Sequence, residues 1–112
     1  MTAPDVSKLI AQEIASVGAD WHSRREYNPH GLDLSRSLIK PERVTCKNTF
    51  PEFRGGKPFE AWLVLEERPD SEDGYLILFD EEVGKFGLAD GPKREPVFLG
   101  WHGSFLNTVR GM

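Results

Sequence analysis

The sequence predicts an α+β fold: an N-terminal amphipathic helix packed on an antiparallel meander sheet of four or five strands, with a short C-terminal helix. Three observations carry this. Apolar residues recur at helical spacing near the start. Strand-like runs separated by turn residues fill the middle. A serine followed by an apolar stripe ends the chain. At 112 residues the chain reads as a single domain over 1–112.

The first helix opens on Thr2-Ala3-Pro4-Asp5, which has capping-box spacing with Asp in place of Glu. Val6, Leu9, Ile10, Ile14 and Val17 form one stripe, and Gly18 supplies a stop. Residues 19–36 follow no clear period and read as a long connection with one turn of helix at most. Ser37 to Lys47 alternates like a strand, with Pro41 requiring a break or an edge position. Phe50 to Pro58 is a Pro/Gly-rich loop carrying Phe50 and Phe53. Phe59 to Glu67 and Tyr75 to Asp80 hold continuous apolar runs, as strands buried on both faces do. Arg68 to Gly74 is a polar turn, and Glu81 to Gly84 closes a tight hairpin into a strand from Lys85 to Ala89. Glu95 to Leu99 is the last strand, and Ser104 caps a helix carrying Phe105, Leu106 and Val109. Two doubly buried strands need cover on both faces. The N-terminal helix can cover one. The other requires the 19–36 connection, the C-terminal helix, or a second copy in a homodimer.

Composition narrows function. An apolar content of 38% and an aromatic content of 11% oppose wholesale disorder. No apolar run reaches the roughly 18 residues of a membrane helix, so no membrane partner is expected. The start of the chain does not read as a secretory signal. The single Cys46 fits a reducing cytoplasm. A net charge of −4 makes nucleic acid an unexpected partner.

Candidate chemistry is sparse. Cys46 reads as a small core residue rather than a nucleophile. His22, His30 and His102 lack the close pairing of metal ligands, so no metal or other cofactor is expected. The turn before Gly74 fails the calcium-loop pattern, because Pro69 occupies its first ligand position. Arg54-Gly55-Gly56-Lys57 could wrap an anion but lacks a P-loop frame. Lys47 to Phe59 interleaves bases and phenylalanines, but those rings are expected to fold back onto the core.

Charge is segregated along the chain. Residues 24–57 carry eight basic residues against four acids, whereas 66–90 carry nine acids against Arg68 and Lys85. Segregated charge steers association, or lets the two halves complement each other within the fold. The first functional expectation is therefore a small cytoplasmic, non-enzymatic module that binds a protein with a basic surface. Asp70, Glu72, Asp73, Glu81 and Glu82, on two successive hairpins, would supply its field. The layout and charge are similar to those of immunity or adaptor proteins, by analogy alone. The alternative is an enzyme or a binder of small anionic ligands. Its site would use Trp21, His22, Arg24, Arg25, Tyr27 and His30, with the 19–36 connection against the sheet.

Overall fold

A computed structural model describes residues 1–18 and 20–112. Helix α1 spans Ala3–Val17. The Thr2 hydroxyl accepts from the Asp5 N–H, and the Asp5 carboxylate accepts from the Thr2 N–H at 2.8 Å, which completes the capping box. The Thr2 N–H and, second to it, the Thr2 hydroxyl (3.0 Å) donate to the Asp5 carboxylate and hold it below its usual range. Five strands follow: β1 (Leu38–Cys46), β2 (Phe59–Glu66), β3 (Leu76–Asp80), β4 (Lys85–Asp90) and β5 (Val97–Gly103). They form one antiparallel sheet in sequence order. A short helix α2 (Leu34–Ser37) precedes β1, and α3 (Phe105–Arg110) closes the chain behind a Ser104 cap. Among the described residues, no helix is long and apolar enough to cross a membrane.

The two apolar strands are buried on both sides, and each side has its own core. Val6 and Ile10 of α1, Trp21, and Phe105 and Val109 of α3 pack on Trp62, Val64, Ile77, Phe79, Phe86 and Leu88. The opposite side holds Cys46, Phe59, Ala61, Leu63, Leu76, Leu78, Ala89 and Phe98. A register shift between Leu63 and Leu65 turns both Val64 and Leu65 toward the helices.

The cover of the second side corrects an expectation. Neither residues 19–36, nor the C-terminal helix, nor a second copy is needed there. The sheet curls until Lys47, just past β1, meets Val97 of β5 in a parallel bridge. The Lys47 N–H donates to the Pro96 carbonyl at 2.7 Å, and the Phe98 N–H donates to the Lys47 carbonyl at 2.9 Å. The loop after Lys47 then lies across the hollow as a strap. Its Phe50 and Phe53 pack edge-on against Phe98 and Phe59, and Trp101 joins them from β5. Buried Asn48 holds the strap in shape. Its amide donates to the carbonyls of Phe53 (2.8 Å) and Lys57 (3.2 Å), and its oxygen accepts from the Phe50 N–H.

Strand β5 runs on to Gly103, past the expected end at Leu99. Trp101 crosses β4 at Gly87, where a Cβ would lie 2.5 Å from the Gly100 carbonyl and 2.6 Å from the indole. Pro41 sits on the edge strand β1, where the register breaks between Leu38 and Glu42.

Gly87→Ala is expected to destabilise the chain by about 1–3 kcal/mol through overpacking. Urea unfolding followed by tryptophan fluorescence measures it. A loss below about 0.5 kcal/mol would mean that Trp101 can move aside without cost.

Candidate functional site

A meander sends successive hairpins to opposite ends of its sheet. The two acidic turns, expected to act together, are therefore separated by β3. Its five residues span about 17 Å. Asp70, Glu72 and Asp73 lie at one end, Glu81 and Glu82 at the other.

Most of these acids are already paired. Arg36 meets Asp70 at 2.8 Å and Arg94 meets Glu72 at 3.9 Å, both in exposed pairs of little energetic consequence. Among the described residues Asp73 makes no ion pair. At the far end, Glu81 is shared by Arg43 (3.3 Å) and the terminal amine (3.3 Å), and Glu82 is held by Arg54. The basic middle of the chain thus complements the acidic hairpins inside one fold.

Arg54 organises that far end. It belongs to the strap and adopts a left-handed backbone, φ 50°, as do the next two glycines. Its guanidinium stacks over Phe53 and Phe59, 4.7 and 5.3 Å from their centroids. It also reaches buried Asp80, lying 3.0 Å from Oδ2 but outside hydrogen-bond alignment there, and 3.2 Å from Oδ1. The same Oδ1 accepts from the N–H groups of Glu82 (2.8 Å) and Val83 (3.3 Å), which shapes the β3–β4 turn. One carboxylate therefore fixes both the strap and the turn.

The six residues of the ligand-binding alternative do not converge. Trp21 is buried in the helix-side core. Arg24 is paired with Glu26 and stacks 4.7 Å from the Tyr27 centroid, and Tyr27 itself packs against the core. His22 and Arg25 are exposed. His30 lines an open cleft with Asp33, Arg36, Glu67 and Asp70, where the connection meets the β2–β3 turn rather than the face of the sheet. The connection is ordered by Asn28. Its amide donates to the carbonyls of His22 (2.9 Å) and Leu32 (3.0 Å), and its oxygen accepts from the Leu32 N–H.

A feature with no sequence forecast adjoins Glu81. A groove of about 750 Å³ runs between α1 and the β3–β4 end of the sheet. Met1 and Leu9 contribute its exposed apolar surface over nearly buried Phe79 and Phe86, while Glu13 and Glu81 are the acids in its wall and the Met1 amine lies on Glu81. Glu13 also accepts from the N–H groups of Phe105 (2.9 Å) and Leu106 (3.2 Å), tying α1 to the start of α3. The α1 part of this signal was readable as Leu9, Gln12, Glu13 and Ser16, which share one helical face. The strand residues opposite them are remote in sequence.

Among the described residues, no group of three or more His, Cys, Asp or Glu side chains is placed to hold a metal. Cys46 is buried, and its thiol is pushed up to about 12 by burial first and the Asp80 charge second. No protein-family model, curated protein or solved structure matches the chain.

Two outcomes follow. Arg54→Ala leaves the Asp80 carboxylate buried without its cation, and a loss of about 3 kcal/mol is expected in chemical denaturation. Asp80→Asn in that background should recover part of it; no recovery would show that the stacking on Phe53 and Phe59 dominates instead. Cys46 holds its proton more tightly folded than unfolded, where its value is 9.0. Between about 9 and about 12 the unfolded chain binds fewer protons, so folding stability should fall as pH rises through that window. Replacing Cys46 with Ala should flatten this slope, and an unchanged slope would assign it to other groups.

Proposed function

We propose that the chain is a small non-enzymatic protein-binding module, immunity- or adaptor-like in role, that engages a partner with a basic surface through the β3–β4 end of its sheet. The observation that carries this is the apolar groove lying against Glu81. Tight protein contacts combine a desolvated apolar anchor with a charged rim, and here the two are contiguous. Glu82, paired with Arg54, stands in solvent at that rim, and Val83 at the turn is exposed. Asp70, Glu72 and Asp73, at the β2–β3 end of the sheet, contribute only to the long-range field. A cytoplasmic setting suits the free thiol of Cys46. The anionic-ligand reading has less support, since Trp21 is in the core and Arg24 already has its carboxylate.

Capture from a lysate of the source cell, at low and high salt, tests the reading. Glu82→Lys is expected to slow association roughly tenfold at low salt and to matter little at high salt. Asp70→Lys with Asp73→Lys should have a smaller effect. Capture lost only with the Asp70 and Asp73 pair would move the site to the other end. Capture of no protein by the unmodified chain would end the binding-module reading.

A further inference from the structure

The strap, residues 48–58, is bonded to itself rather than to the sheet. The Phe53 N–H donates to the Phe50 carbonyl (3.1 Å), Gly56 to Phe53 (3.0 Å) and Lys57 to Arg54 (3.2 Å). The three hydrogen bonds of the Asn48 side chain also stay within it. Among the described residues, only Arg54 carries a polar contact from the strap to the rest of the chain, at Asp80 and Glu82. Both ends of the strap meet on one line, because Cys46 pairs with Phe59 across β1 and β2. A loop with adjoining ends and internal bonds is a compact unit that can pivot about them.

We propose that residues 48–58 form a rigid flap, hinged at that line and latched by Arg54 onto Asp80, that swings off the aromatic hollow as one piece. The flap is independent of the binding-module reading. Swinging breaks no backbone hydrogen bond. It costs the latch and the packing of Phe50 and Phe53, both only partly buried. The closed state also carries costs that opening relieves. Arg54 holds a left-handed backbone. Trp101 Nε1 and Asp80 Oδ2 are buried without hydrogen-bond partners, and water reaches them once the flap lifts. The fixed half of the latch stays behind, since Asp80 is bound to the Glu82 and Val83 N–H groups of its own turn.

Hydrogen exchange of the Trp101 indole N–H, followed by NMR against the amides of central strand β3, tests this. In the unaltered chain the indole should exchange through an opening that low urea barely changes, whereas the β3 amides should follow global unfolding and rise steeply. Ile10→Val, in the opposite core, weakens the closed and open states alike. It should speed β3 exchange and leave the indole unchanged. Arg54→Gln should speed the indole roughly tenfold or more. Arg54→Lys, which keeps the charge but not the planar fork, should fall between. The Gly56 and Lys57 amides should not change with either, because their bonds travel with the flap. An indole that tracks β3 in urea or in Ile10→Val overturns the proposal, since only global unfolding then opens the hollow. An indole indifferent to both Arg54 variants removes the latch. Gly56 and Lys57 accelerating in step with the indole would show a strap that melts rather than swings.

Discussion

The fold depends on one constraint: a sheet whose two central strands are apolar on both faces must be covered twice by a short chain. All the helical cover goes to one side. The other side is closed by the sheet itself, which curls until Lys47 shares backbone hydrogen bonds with Pro96 and Phe98. That junction gives the strap its starting point. From there Asn48 shapes the loop, and Phe50 and Phe53 reach the hollow. An open sheet would leave Phe98, Trp101 and Phe59 facing water, a patch a soluble chain rarely tolerates.

Electrostatics follows the same geometry. Charges that are segregated along the chain are interleaved in space, because the strap and β1 bring arginines to the acidic β3–β4 turn. Arg54 is the most constrained of them. It stacks on two rings, touches a buried carboxylate and occupies a left-handed backbone position. Strain of that kind persists only where surrounding contacts over-determine it. The strap's aromatic packing and the Asp80 turn supply that determination.

The strands and terminal helices were readable because their signals are local. Thr2 and Asp5 cap α1, and the runs at Ala61–Leu65 and Leu76–Phe79 admit only doubly covered strands. In sequence β5 ends at Leu99, because Gly100 and His102 interrupt its apolar pattern, and what extends it is the fit of Trp101 over Gly87. The destination of Phe50 and Phe53 was clear in kind but not in consequence. A Pro/Gly-rich loop carries no direction, so its rings could not be matched to the uncovered face. The acidic turns were visible as residues, yet their separation by β3 and their pairing with Arg36, Arg43 and Arg54 are tertiary facts. The groove joins residues from α1, β3, β4 and the entry to α3, and no local pattern contains it.

The Lys47–Val97 bridge also bears on how the chain folds and comes apart. Every other pairing in the sheet joins neighbours in sequence, so the meander can zip hairpin by hairpin at low entropic cost. The bridge instead closes a loop of about 50 residues around three intervening strands. Such a contact gains little until those strands are aligned, so it is expected to form after the rate-limiting step. Weakening it should raise the unfolding arm of a chevron plot and leave the refolding arm in place. The seam that seals the hollow then governs how long the native state lasts rather than how quickly it forms.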